Sequence, residues 1–291
     1  MGKETKSVKY LLPAVEVDMG GFLVKQPLPT KRIQQVDPFL LLHHANTKYN
    51  NKKLAKNQGI GPHPHRGFSP VTFVIQGEVW HRDSRGNNQI AKKGEVQWMH
   101  AGAGIVHSER PSQELVDKNG RQEIIQLWIN SPSKKKRIPP EYYYLSSENM
   151  TTFTSNDGKV NNKLIAGNYE NQKGKIIPQS ELLIIWGEAQ KNGIQKYLVP
   201  QGFNCLLYLI KGSLLLKGYG LIEKEHLAIF DKGGESIEIS FDENSQFLLL
   251  AGKPIDEEVS QYGPYVMNTQ TEIMEAMRDY QMGKMGILIE E

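Results

Sequence analysis

The sequence predicts an all-β protein of two tandem antiparallel barrels or jelly rolls, closed by one short helix near the C-terminus. Three observations predict it. Apolar runs of five to eight residues alternate with Gly, Asn, Asp and Pro clusters, the pattern of many short strands. The two halves of the chain repeat the same pattern, as a duplicated module would. Helical periodicity is convincing in one segment alone.

The first half supplies strands at residues 71–75, 96–99 and 124–129; the second supplies 182–186, 206–210, 214–216, 237–241 and 247–251. VTFVIQGEVW followed by KKGEVQWM corresponds to LLYLIKGSLLLKG followed by DKGGESIEIS. Each reads as a strand, a tight turn at Gly77 or Gly212, a second strand, and another glycine turn at Gly94 or Gly233. Small antiparallel barrels or jelly rolls satisfy that order.

The helix is expected over residues 270–282. Thr269 and Glu272 form a capping-box pattern. Ile273, Met274, Met277 and Tyr280 follow at helical spacing, and Gly283 suits the stop. Its apolar stripe has to dock against a barrel.

Composition excludes several classes. The chain has 291 residues, 35 Lys+Arg against 32 Asp+Glu, and a formal net charge of +3. That balance gives no basic stripe for nucleic acid. One cysteine, Cys205, forms no internal disulfide and no cysteine-based zinc site. No apolar run approaches the roughly 20 residues that span a bilayer. The N-terminus lacks a signal-peptide core, and Lys6 stands where a myristoylated Gly2 would need Ser or Thr. The expectation is a soluble, cytoplasmic protein without membrane contact. The basic run at residues 134–137 reads as part of a solvated linker, the alternative being a nuclear-localisation signal.

Histidines carry the chemistry. His63-Pro64-His65 and His107-Ser108-Glu109 are two i,i+2 dyads flanked by glycine turns. On a strand such residues share a face. Facing strands would gather three imidazoles and a carboxylate, a set suited to a first-row transition metal. The residues alone leave a bland alternative, buried core histidines and a capping glutamate. His81 reads as a turn hydrogen-bonder, His100 as a core residue, Arg66 as a surface ion pair, and His226 as a surface or capping residue. His43 and His44 point to opposite faces of one strand and do not easily serve one site.

The stretches HPHRGFSPVTFVIQGEVWHRDSRGN and GEVQWMHAGAGIVHSERP resemble the pirin family of the cupin superfamily. DPFLLLHHAN, IQLWIN and YGPYVMNT resemble further segments of it, so the likeness runs in order along nearly the whole chain. It implies two tandem cupin barrels. Residues 1–133 would form an N-terminal metal-binding barrel and residues 134–150 a linker. Residues 151–291 would form a metal-free barrel plus the C-terminal helix. The family pattern binds iron through the two His of HPH and the His and Glu of HSE, carried over here as His63, His65, His107 and Glu109. Fe(II) is the implied metal; nickel, cobalt, manganese, copper and zinc suit the same donors. Counting from Gly212 and Gly233, the matching positions of the second half are Leu198, Pro200, Gln246 and Leu248, which are no ligand set.

The resemblance also implies a function. Some bacterial pirins are quercetin 2,3-dioxygenases, which cleave a flavonol ring and release CO. The partners would be dioxygen and a small aromatic or enolic substrate, with Glu109 as the catalytic base. Eukaryotic pirins imply the alternative, an iron-dependent, redox-responsive transcription co-regulator that binds a protein partner. A third reading is a vestigial cupin with a structural metal. Two departures stand out. Ser69 occupies a slot where many pirins carry Glu, so the site is expected to lose a base there, and His43-His44 stands where they often carry acidic residues.

Overall fold

Period-two burial sets the architecture. In the computed structural model, which describes residues 4–290, the strand Glu78–Asp83 alternates half-buried and buried side chains. The central strands Phe68–Gln76 and Leu182–Ala189 are buried on almost every residue, as strands covered on both faces are. Gly2 lies outside the described residues.

The chain forms two compact units. One comprises Glu16–Gln26, Phe39–Ser147 and Ile255–Glu291. It holds a seven-stranded sheet in the spatial order Glu141–Leu145, Val96–His100, Phe68–Gln76, Arg121–Asn130, Phe39–Lys48, Leu23–Leu28, Val15–Asp18. Its four-stranded sheet runs Ile60–His65, Ile105–Arg110, Glu78–Asp83, Asn88–Lys92. The other unit comprises Met1–Val15, Pro27–Pro38 and Glu148–Pro254. It repeats the plan with a seven-stranded sheet (Val8–Pro13, His226–Phe230, Asn204–Lys211, Ser245–Gly252, Leu182–Ala189, Val160–Ala166, Thr151–Thr154) and a four-stranded one (Ile194–Leu198, Ser236–Phe241, Ser213–Leu216, Gly220–Glu223). The sheets correspond strand for strand. The hairpin turns that announce the repeat, at Gly77 and Gly212, have φ of +72° and +85°, where a side chain is strained.

The units are not contiguous in sequence, unlike the division at residues 133 and 151. Val8–Pro13 pairs antiparallel with His226–Phe230, and residues from Ile255 onward belong to the first unit. An open sheet edge leaves backbone N–H and C=O groups unpaired. Val8–Pro13 covers that edge in one unit and Glu141–Leu145 covers its counterpart in the other.

Residues 134–150 are accordingly more than a linker. Tyr142, Tyr143 and Tyr144, residue types at home on a pleated sheet, lie in the strand Glu141–Leu145. Lys136 is buried and donates to the carbonyls of Gly67 (2.7 Å) and Val266 (3.0 Å) and to Asn130 Oδ1 (2.6 Å). Arg137 pairs with Glu275 at 2.7 Å and Glu272 at 3.3 Å. The run is therefore only partly solvated.

The counterpart of Ile105–Arg110 is Ser236–Phe241, so counting from Gly233 to Gln246 and Leu248 reaches the wrong strand. The turn matching Gly94 precedes His226–Phe230; Gly233 belongs to the next turn along. The corrected positions are no better as ligands. Tyr197, Ile237, Ile239 and Phe241 are buried in one apolar cluster with Leu207, Leu249 and their neighbours from the facing sheet.

The C-terminal helix spans Gln270–Gln281, and both hydrogen bonds of the Thr269–Glu272 capping box are present. It buries Ile273 and Ala276 against Val106, Tyr265 and Met267 of the first unit. Met274, expected in the stripe, is exposed, because its position is turned away from that of Ile273. A second short helix, Gln113–Asp117, is capped by Ser112. No helix among the described residues is long and apolar enough to cross a membrane.

Candidate metal centre

Two paired strands bring the dyads together. Ile60–His65 and Ile105–Arg110 run antiparallel, with His63 opposite His107 and His65 opposite Ile105. Strand alternation then puts His63, His65 and His107 on one face. Their ligand atoms all lie within 4.8 Å of one another. The Nε2 atoms of His63 and His65 are 3.1 Å apart.

Each ring is oriented from outside through Nδ1. His63 donates to the Gly61 carbonyl at 2.8 Å and His65 to the Pro264 carbonyl at 3.4 Å. His107 Nδ1 lies 3.3 Å from Nδ1 of His81. The Nε2 atoms are thereby turned inward, and that of His107 is buried without a partner. Phe68 and Trp128 pack edge-on against His65 at 5.0 and 5.4 Å. Burial, and then the neighbouring imidazole of His63, holds His65 and His107 well below the usual histidine range. Three imidazoles with Nε2 turned to one point are a donor set for a transition metal, and an orphaned buried nitrogen is what such a cation satisfies.

Glu109 is buried on the same strand but is not among the atoms mutually within 4.8 Å. A register shift separates it from His107. Its Oε1 accepts from Thr72 Oγ1 at 3.0 Å and its Oε2 from Gln126 Nε2 at 2.9 Å. Of the four predicted site residues, the structure gathers three and holds the fourth beside them from the facing sheet.

A cavity of about 610 Å³ opens over the cluster. His63, His65, Glu109 and Gln126 line it, with an apolar wall that includes Phe22, Val24, Leu41, Ile124 and Trp128. His43 also lines it, with Nε2 2.7 Å from Gln26 Oε1. His44 instead bonds Glu123 at 2.8 Å, so the two adjacent histidines do part. Arg66 forms the expected ion pair, to Asp279 at 3.0 Å, but as a buried one.

Sequence reasoning passed over Asp83 and read His81 as a turn hydrogen-bonder. They form an i,i+2 pair in the strand Glu78–Asp83, the same signal that singled out the other dyads, and they bond each other at 3.0 Å. It also missed Thr72 and Gln126, whose roles depend on cross-strand register.

The chain matches the Pirin family over residues 21–129 and the Pirin C-terminal cupin domain over residues 187–286. Its duplicated sheets thus make it a bicupin. It is 33% identical over 285 residues to a pirin-like protein of Solanum lycopersicum, covering 96% of this chain and 92% of the relative. It is 31% identical over 291 residues to the pirin of Homo sapiens, covering 98% and 96%. The crystal structure of quercetin 2,3-dioxygenase from Acinetobacter baumannii superposes with a TM-score of 0.89 at 34% identity, over 98% of this chain and 100% of that one. The chain belongs to the pirin family.

Proposed function

We propose that the chain is a metal-dependent dioxygenase acting on a planar, hydroxylated aromatic of the flavonol class. The observation that carries this reading is the cavity of about 610 Å³ lined by His63, His65 and Glu109. Small-molecule sites are largely apolar clefts of roughly 300–1,000 Å³ with a few convergent polar groups. A redox-responsive co-regulator needs only an exposed face, so a cavity of this size favours the enzyme reading. Quercetin is the test substrate because the similar Acinetobacter baumannii structure carries that activity in its name.

His63, His65 and His107 would hold the metal through Nε2, with Glu109 beside them as the carboxylate of the set. Fe(II) bound there would supply a Lewis acid and a one-electron couple. The remaining work falls to the protein. The wall of Phe22, Val24, Leu41 and Trp128 takes the ring system and excludes water. Glu109 accepts the proton of the substrate hydroxyl, and Thr72 and Gln126 keep its carboxylate aimed. Ring cleavage incorporates both atoms of one dioxygen and releases one carbon as CO, so no external reductant is consumed.

The test is oxygen uptake and CO release with quercetin, on protein purified without air and loaded with Fe(II). Stoichiometric, metal-dependent turnover supports the proposal. No turnover in protein that demonstrably holds iron would overturn it.

A further inference from the structure

The three clustered imidazoles are not oriented alike. His63 and His65 each meet a backbone carbonyl, which only accepts. That fixes Nδ1 as the donor, and in a neutral ring it leaves the lone pair on Nε2. His107 meets another imidazole, His81, and an imidazole donates or accepts according to its tautomer. Something else must set the direction of that bond.

Asp83 does so. Its Oδ2 lies 3.0 Å from His81 Nε2 and accepts from Asn87 Nδ2 at 2.8 Å. Its Oδ1 accepts from the backbone N–H groups of Arg85 (2.9 Å) and Asn87 (3.0 Å). Burial alone would raise this carboxyl, but the hydrogen bonds from His81, Asn87 and Arg85 outweigh it and hold Asp83 below the ordinary range. A carboxylate only accepts, so the tautomer of a neutral His81 ring that fits this geometry has its proton on Nε2 and its lone pair on Nδ1. His107 Nδ1 must then donate, which leaves His107 Nε2 bare. Asp83, His81 and His107 are 4%, 2% and 2% exposed, so water offers no competing partner. Tyr142 stacks on the His81 ring at 4.3 Å and 18° and holds its plane.

We propose that Asp83 and His81 are positioning residues that fix the tautomer of His107 and keep its Nε2 a metal donor. The inference rests on the metal-centre reading but not on any substrate. Partners of this kind are typically worth 10–100-fold in metal affinity.

Asp83→Asn is the informative change. The two backbone donors hold an oxygen at the Oδ1 position, so the amide nitrogen takes the Oδ2 position against His81. The relay then reverses and a proton moves onto His107 Nε2. His81→Gln is the control, because its side-chain oxygen accepts from His107 Nδ1 whatever stands at position 83.

The first readout is the nitrogen-15 spectrum of His107 in wild-type metal-free protein. Protonated Nδ1 and bare Nε2 are expected; a protonated Nε2 would overturn the proposal whether or not any variant folds. The second is Zn(II) and Fe(II) affinity by chelator competition. D83N should bind about 10–100-fold more weakly than wild type, and D83N in an H81Q background no more weakly than H81Q alone. An undiminished D83N affinity, or an equal loss in both backgrounds, would overturn it; the latter would mark Asp83 as a turn cap only. Neither readout uses turnover, so failure of the quercetin assay leaves this result standing. Wild-type protein that binds no metal would instead remove the metal-centre reading.

Discussion

Ser69 donates its hydroxyl to His100 Nδ1 at 2.8 Å, on the face of its strand opposite Thr72, the residue that donates to Glu109. Trp98 Nε1 donates to the same nitrogen at 3.2 Å. The slot where many pirins carry Glu thus faces away from the three imidazoles. Ser69 removes no donor from the cluster, contrary to the expectation that this slot costs the site a base. Ser69→Ala should keep the full metal content, measured by elemental analysis. It should cost about 1 kcal/mol of stability in a urea titration, the worth of an ordinary buried hydrogen bond.

Glu109→Gln separates the carboxylate from the imidazoles. The variant keeps a side chain of the same shape for Thr72 and Gln126 but loses the base. Metal bound by His63, His65 and His107 should remain, while kcat on quercetin falls about 10²–10⁴-fold, the usual contribution of a general base. Unchanged turnover with metal retained would remove Glu109 from that role.

Much of this was legible beforehand and some was not. The all-β class, the duplication and the histidine dyads are local patterns of period two, which sequence carries directly. The three imidazoles could be named because i,i+2 spacing places them without knowledge of partner strands. Thr72, Gln126 and Gln26 act across strands, so only register reveals them. Lys136 looked solvated because charge runs usually are, yet three acceptors from separate segments surround its ammonium. The non-contiguous units followed from edge-strand pairing, which no local pattern encodes.

His43 gives a pH signature independent of activity. Burial pushes its imidazole down to about 4. The unfolded chain then binds more protons than the folded one between about pH 4 and 6.5, so folding stability rises with pH through that window. The contribution is lost as pH falls toward 4. Relative to His43→Gln, wild-type protein should lose up to about 3 kcal/mol between pH 6.5 and 4, followed by chemical denaturation at several pH values. Parallel curves for the two proteins would show that His43 is not held neutral.

Arg66 and Asp279 tie the residue after His65 to the C-terminal helix. Arg66 is buried and Asp279 keeps Lys284 at 2.9 Å, so Arg66→Ala removes one of two charged partners and should cost about 2 kcal/mol, the worth of a hydrogen bond to a charged group. The hydrogen bond from Lys284, then the pairing with Arg66, holds Asp279 below the ordinary carboxylate range against the opposing effect of burial. Its folded value lies below its unfolded one, so the stabilisation is complete above about pH 4 and fades as pH falls through the depressed value. The gap in melting temperature between wild type and Asp279→Asn should therefore be constant near neutrality and close below about pH 4. A gap that persists there would contradict the ion pair.

Metal stoichiometry tests the three-imidazole site. Equilibrium dialysis of the metal-free chain against Fe(II) under nitrogen, read by elemental analysis, counts the sites. One ion per chain is predicted, lost on replacing His63, His65 or His107 by alanine and unchanged by Tyr197→Phe in the second unit. Undiminished binding in His65→Ala, or two ions per chain, would contradict it.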